Sequence, residues 1–306
     1  MVRRTINNIP TSSHEFQALY PFDDASNIAE INGNKMHYID KGEGQHVVMI
    51  HGNPTWSFYF RNQIATLSQR FRTIAPDHIG CGFSDKPDAK RYNYTLASRI
   101  QDLNCLIRHL NINRKIHLVV HDWGGIIGLG WAVDHLDQIA KIVITNTAGF
   151  FLPDEKKLPF LLWLVKHVKF FSVPAVLGLN LFARGALILC SETSLPLKAK
   201  KGLLAPYNSW KNRIAILKFV QDIPTSEKDP SYDIVHHVAK RLEKLNESNL
   251  MFLWGAKDFV FDLAVLSEFK QRFPRAETHV FQDAGHYLFE DKPTETTRLI
   301  MSFLNR

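Results

Sequence analysis

Cysteine is scarce. The 306-residue chain has three, Cys81, Cys105 and Cys190, an odd number without metal-ligand spacing, which excludes a disulfide framework and points to reduced thiols in a cytosol-like compartment. No zinc or other metal site is written in the sequence, and no cofactor motif is completed. Asp77-His78-Ile79-Gly80-Cys81-Gly82-Phe83-Ser84 contains G-x-G, but the last position of a dinucleotide fingerprint is Asp85, so the stretch reads as a structural loop.

Long apolar runs are also missing. The longest uncharged stretch of interest, residues 170–183, lies between Lys169 and Arg184 and contains Pro174, short of the roughly 18–20 apolar residues a membrane span needs. The N-terminal residues 1–22 carry Arg3 and Arg4 but no apolar segment ahead of Pro10, Thr11, Ser12, Ser13 and His14, so they do not read as a secretory leader and none is expected. A chain that is neither exported nor membrane-spanning, and therefore cytoplasmic, is expected.

Acidic residues are in short supply, with 37 Lys and Arg against 30 Asp and Glu, a net charge of +7. Residues 150–202 hold +5 of that excess: Lys156, Lys157, Lys166, Lys169, Arg184, Lys198, Lys200 and Lys201 against Asp154, Glu155 and Glu192. The cations alternate with Leu, Phe and Val runs and not with any nucleic-acid-binding motif, so nucleic acid is not the expected partner. They suit a lipid-like ligand, a membrane face, a partner protein or a solvated helix face.

What the chain does contain is a globular composition, 45% hydrophobic and 22% charged, arranged as short β-rich runs alternating with helix-length amphipathic stretches. Strands are expected at residues 46–50, 72–75, 116–120, 139–145, 250–254 and 277–281, after a hairpin through Ile31, Asn34 and Ile39. Helices are expected at 56–69, 96–110, 124–135, 263–273 and 293–304. This is the signature of an α/β fold with a mostly parallel central sheet. The alternation stops between residues 150 and 228, where a Leu/Phe/Lys-rich, helical and proline-punctuated segment intervenes before strand logic resumes at Leu250. That divides the chain into a core of residues 1–149 and 229–306 and a helical cap of 150–228. Ligands of such sheets bind beyond the carboxyl ends of the strands, so the cap roofs the site.

Leu118-Val119-Val120-His121-Asp122-Trp123-Gly124-Gly125 runs from a strand through a sharp turn into a helix. This is a nucleophile elbow with a carboxylate at the position hydrolases usually give to Ser, and with Val120 where G-x-S-x-G has its first Gly. By itself the motif fits a helix-capping Asp equally well. Downstream, Asp258 follows one strand in Leu253-Trp254-Gly255-Ala256-Lys257-Asp258, and His286 follows the next in Asp283-Ala284-Gly285-His286-Tyr287. Nucleophile, acid and His in that order, each after a strand end, make Asp122, Asp258 and His286 the candidate triad. Upstream, Ile50-His51-Gly52-Asn53-Pro54 ends another strand. There the backbone N–H after Gly52, that of Trp123, the Asn53 amide and the Trp123 indole N–H are candidate anion donors.

An Asp nucleophile suits an electrophilic sp³ carbon. Serine attacking such a carbon would end as an inert ether, whereas a carboxylate forms an ester that a His-activated water can still cleave.

These motifs resemble the α/β-hydrolase superfamily, in the haloalkane dehalogenase branch with an Asp–His–Asp triad and an Asn–Trp anion-binding pair. The resemblance covers nearly the whole chain, from His51-Gly52-Asn53-Pro54 through Asp77-His78-Ile79-Gly80 to Asp291-Lys292. Epoxide hydrolases share the Asp-Trp elbow, but Asn53 stands where they typically carry an aromatic residue. Within the branch, several stretches look like the β-lactone decarboxylases of bacterial long-chain olefin biosynthesis. They are His121-Asp122-Trp123-Gly124-Gly125-Ile126-Ile127-Gly128, Asn146-Thr147-Ala148, the segment from Ala205 through Trp210 to Pro224, Asp258-Phe259-Val260-Phe261-Asp262 and His286-Tyr287.

That resemblance implies conversion of cis-3-alkyl-4-alkyl-oxetan-2-ones to cis-alkenes and CO2, no cofactor, and assembly with the preceding enzymes of the pathway. It implies Asp122, His286 and Asp258 as catalytic residues and Asn53 and Trp123 as anion or carbonyl stabilisers. Hydrolytic dehalogenation is the alternative, and a binding protein on a hydrolase fold is the non-enzymatic one. Whether Asp122 meets a ring carbon or a carbonyl carbon stays open. An apolar, long-chain substrate fits the oily cap, with Tyr207 and Trp210 expected at the pocket near its return to the sheet.

Overall fold

The computed structural model describes residues 14–153 and 156–306. The leader reading of Arg3 and Arg4, and the Asp154 and Glu155 counted above, lie outside the described residues. Eight strands, β1 (Ser26–Ile31), β2 (Asn34–Lys41), β3 (His46–Ile50), β4 (Arg72–Pro76), β5 (Ile116–His121), β6 (Ile139–Thr145), β7 (Leu250–Gly255) and β8 (Glu277–Phe281), form one sheet. Their order is β1-β2-β4-β3-β5-β6-β7-β8. The β1–β2 and β2–β4 pairs are antiparallel, and every pair from β4–β3 to β7–β8 is parallel. The hairpin turns at Asn32 and Gly33, both at positive φ (49° and 75°), the left-handed geometry that suits a tight two-residue connection.

The central strands are hydrophobic without interruption because both faces are covered. Side chains of alternate residues go to opposite sides. Val48, Ile50, Leu118, Val120, Ile142 and Ile144 pack with helices Leu96–His109, Trp123–Ala132 and Leu263–Arg272. Val47, Met49, Val119, Val143, Met251 and Leu253 pack on the other face with helices Arg61–Leu67 and Pro293–Leu304 and with part of the β6–β7 connection.

Two expected helices are altered. Residues 56–69 do not form one helix. Trp56 is extended, Ser57–Phe60 is a 3₁₀ turn and the α-helix covers Arg61–Leu67. The Asp77 carboxylate takes the Ser57 N–H at 2.8 Å, and Trp56, Phe58, Tyr59 and Phe60 are all fully buried, which no single helical face achieves. The helix after the elbow ends at Ala132 and not at His135. There the His135 ring stacks on Trp131 and its Nδ1 donates to the Trp131 carbonyl at 2.8 Å, satisfying a terminal acceptor.

The Asp77 loop is structural, as read: besides Ser57 N–H, its carboxylate accepts Phe83 N–H at 2.8 Å and pairs with His37 Nδ1 at 2.7 Å. Between β6 and β7 the described residues contain helices and turns and no strand. The main helices are Phe160–His167, Leu181–Leu189, Leu197–Leu204, Ile214–Gln221 and Tyr232–Arg241, with a π-helical turn at Val173–Gly178.

Candidate active site

The elbow is held by close backbone packing. Asp122 leaves β5 at φ 52°, ψ −128°, a conformation costly for a residue with a Cβ and kept only where the surroundings impose it. Gly124 permits it, since a Cβ there would run into the Ile50 carbonyl, and a Cβ at Gly125 would meet the Thr147 hydroxyl. Thr147 Oγ1 donates to the Asp122 carbonyl at 2.5 Å. The side chain of Asp122 makes no capping bond to the helix that follows, so the helix-cap alternative does not describe it. Its Oδ1 instead accepts the Asn53 N–H at 2.6 Å.

His286 and Asp258 meet this carboxylate from the ends of the next strands. His286 Nδ1 lies 2.7 Å from Asp258 Oδ2 and Nε2 lies 3.6 Å from Asp122 Oδ2. Asp258 Oδ1 accepts the backbone N–H groups of Val260 (2.7 Å) and Phe261 (3.0 Å), so both of its oxygens are directed. Asn146 has a role that no sequence motif marks. At the end of β6, its Nδ2 donates to Asp258 Oδ2 at 2.9 Å while its Oδ1 accepts Gly255 N–H at 2.9 Å. The sequence marks Asn146 only as a neutral residue at the end of the strand before the one that leads to Asp258. His121 Nε2 donates to the His286 carbonyl at 2.8 Å and steadies the loop.

Burial pushes the Asp122 pKa up, against the opposing pull of His286 and the N–H groups of Asn53 and Trp123. At Asp258 burial acts in the same direction but is outweighed by the His286 charge and the hydrogen bonds it accepts, and the carboxyl titrates below its usual range. For His286 burial disfavours the cation, but Asp258 and then Asp122 outweigh it and raise the pKa. The result is an imidazole shifted toward its charged form between two carboxylates of opposite bias. Cys190, 6% exposed, is pushed well up by burial and the nearby carboxylates, so its thiol stays protonated.

Asp122, Trp123, Asn53 and His286 border a cavity of about 640 Å³. Its walls are chiefly apolar side chains of the β6–β7 connection, among them Phe150, Leu162, Val176, Phe182 and Ala186, with Phe259 and Phe261 beyond β7. Such volume and lining suit a sizeable apolar ligand. Asn53 borders this space, its Nδ2 giving one bond to the Ile216 carbonyl (3.2 Å), and its buried Oδ1 has no partner among the described residues. Trp123 lies over Phe219, 5.3 Å between centroids, with the Arg99 guanidinium 3.6 Å from the other ring's centroid. No group of three His, Cys, Asp or Glu among the described residues is arranged to hold a metal ion.

Tyr207 and Trp210 do not line the cavity, contrary to expectation. Tyr207 is fully buried behind it, its hydroxyl donating to the Thr55 carbonyl at 3.0 Å. Trp210 is half exposed, beside Gly178 on the outside of the connection. A helical segment presents both faces, and the oily one that meets the cavity comes chiefly from residues 150–190, joined by Val220, Ile223 and Pro224.

The model describing the α/β hydrolase fold matches residues 45–293. The chain belongs to the α/β-hydrolase family. It is 44% identical over 274 residues to the cis-3-alkyl-4-alkyloxetan-2-one decarboxylase of Shewanella oneidensis, covering 89% of this chain and 86% of that one. It is 27% identical over 289 residues to haloalkane dehalogenase 2 of Mycobacterium bovis, covering 92% and 95% respectively. Among solved structures, a putative ancestral haloalkane dehalogenase superposes with a TM-score of 0.83 at 22% identity, covering 91% of this chain and 98% of that one. This last likeness speaks for the shared hydrolase fold.

Proposed function

We propose that this α/β hydrolase decarboxylates cis-3,4-dialkyl β-lactones to cis-alkenes, with Asp122 as nucleophile, His286 and Asp258 completing the triad, and Asn53 and Trp123 receiving the leaving anion. The observation that carries the reading is the placement of Asp122, with one oxygen held and the other beside His286, at the floor of an apolar cavity large enough for two alkyl chains. The identity to the Shewanella decarboxylase supports the choice of substrate. In this reading residues 1–149 and 229–306 are the catalytic core and 150–228 the cap.

Asp122 Oδ2 attacks C4 of the ring from the back and the C4–O bond breaks. The carboxylate released on the C3 side is received by the Asn53 and Trp123 donors, as a halide would be. The C3–carboxylate bond then breaks, its electron pair forms the C3=C4 double bond, CO2 departs, and Asp122 leaves with the C4–O pair. His286 as imidazolium stabilises that departing carboxylate. Inversion followed by anti elimination keeps both alkyl groups on one side, so a cis-lactone yields a cis-alkene with no net water.

The three free thiols support a cytoplasmic place for this chemistry, and the apolar product fits a role in olefin biosynthesis. Direct transfer from the enzyme that makes the lactone belongs to the same reading, because two alkyl chains favour hand-over to release into water. The 27% identity to a dehalogenase supports the second reading, hydrolysis of a haloalkane through an Asp122 alkyl ester. Incubation with a synthetic cis-β-lactone and, separately, a 1-bromoalkane tests both. Alkene and CO2 are expected, with kcat/KM at least about tenfold above that for the bromoalkane, a gap of about 1.4 kcal/mol. Rapid bromide release with no alkene from the lactone would leave dehalogenation standing.

A further inference from the structure

The mouth of the cavity opens on an unusual surface. Leu161, Phe171, Leu181 and Leu189 are each exposed and each line the cavity, so one rim is both wall and outer face. Around it Phe160, Trp163, Phe170, Leu179 and Ile188 stand out without lining the cavity, Phe170 at 94% and Ile188 at 75% exposure. Helix periodicity groups them: in Leu181–Leu189 the exposed Leu181, Arg184, Ile188 and Leu189 fall on one stripe, opposite buried Ala183, Ala186 and Leu187. An apolar expanse of this kind is rare on a free-standing monomer and marks a contact surface.

Charge says what it contacts. From Lys156 to Gln221 the sequence has a single carboxylate, Glu192, and that one is paired with Lys257 at 3.0 Å. Lys169, Arg184, Lys198, Lys201 and Lys211 are exposed along the same segment. Protruding aromatic and aliphatic side chains among unopposed cations are complementary to an anionic lipid surface, where the rings sink below the headgroups and the cations stay at phosphate level. No described helix alone is long and apolar enough to cross a membrane. Phe160–His167 and Lys169–Gly178 reach that composition only together, across a bend of 97°. A bent pair of this kind lies along an interface more readily than through it.

We infer that this face docks on an anionic bilayer, with the cavity mouth against the lipid, so that an apolar ligand passes between membrane and cavity without crossing water. Docking itself is independent of the proposed reaction; only the identity of the passing ligand rests on it. The test is flotation of the full chain with phosphatidylcholine vesicles, with and without about one-third phosphatidylglycerol, for the wild type and for a Phe170→Ser/Leu179→Ser/Ile188→Ser variant. None of these three residues lines the cavity.

The wild type is expected to float with the anionic vesicles at least roughly tenfold more than with phosphatidylcholine alone and to be released by high salt. The variant, with an unchanged thermal midpoint, should lose at least roughly tenfold of that binding. No flotation of the wild type, or equal flotation of the variant, overturns the inference. So does a vesicle-free oligomer, or a complex with another protein, that the variant dissolves while neither form floats. Because no turnover is read, failure here leaves the decarboxylase reading untouched, and failure of that reading leaves flotation unchanged.

Discussion

The Nε2 atom of His286 stands 3.6 Å from Oδ2 of Asp122. That is too long for a hydrogen bond, yet close enough for each charge to set the other's titration. The Asp122 charge is one of the groups that raise the His286 pKa, so the ester proposed at Asp122 would remove that charge and lower the proton affinity of His286.

Asp122→Asn imposes the same loss permanently. Activity should fall at least about 1,000-fold with the fold retained, and the His286 imidazole resonances should titrate at lower pH than in the wild type. The raised His286 value means that its pairing stabilises the fold fully below the ordinary imidazole range and that this stability fades as pH rises through the raised value. A scan of thermal midpoint against pH should therefore be flatter in that window for the variant. An unmoved His286 titration would show that the two groups do not sense each other.

Asp258→Asn should reduce kcat by roughly 1,000- to 10,000-fold, because an amide at that position no longer matches the His286 Nδ1 proton and removes the charge that favours imidazolium. Asp262, four residues on, caps helix Leu263–Arg272 through Ala264 N–H and pairs with Lys156. Asp262→Asn should change kcat by no more than about threefold, because Asp262 neither lines the cavity nor contacts His286. Steady-state kinetics of the two variants side by side decides which carboxylate serves the imidazole.

His286→Gln should make the ester accumulate, since the neutral amide cannot stabilise departing Asp122 or activate water. Intact-protein mass spectrometry after a cis-β-lactone pulse is expected to find the enzyme heavier by the whole lactone, CO2 included. A gain of the alkyl fragment without CO2 would place decarboxylation before ester formation. No adduct would remove covalent catalysis at Asp122.

The chemistry of the cavity wall sets a dependence on chain length. Each methylene buried among Phe150, Leu162, Val176 and Phe182 contributes about 0.8 kcal/mol, so KM should fall about fourfold per added CH₂ until the cavity is filled. Trp210→Ala should leave this series unchanged, because that indole lies outside the cavity. A flat series would mean that the alkyl chains lie elsewhere.

Much of this was legible in the chain. The positions of the parallel strands, the elbow at Asp122, and Asp258 and His286 after β7 and β8 all follow from local signals: short β-branched runs, a glycine pair where the backbone must turn sharply, and turn residues at strand ends. A parallel sheet buried on both faces makes those signals strong, because each central strand must be apolar throughout and each ligand-bearing loop must follow it directly.

What only the folded structure decided are relations between distant residues. The Asn53 N–H reaches Asp122 across 69 positions and the Asn146 amide reaches Asp258 across 112, and neither separation has a period that a sequence displays. The same holds for the cavity. Helical spacing shows that residues 150–228 carry apolar faces, but Tyr207 turned inward behind the site and Trp210 outward, while Leu161 and Leu189 became its rim. Which apolar face meets the sheet, which meets the ligand space and which meets the surroundings is settled by how short helices of similar pattern pack against one another. Periodicity is silent on that choice, because it specifies that a face must be covered and not by what.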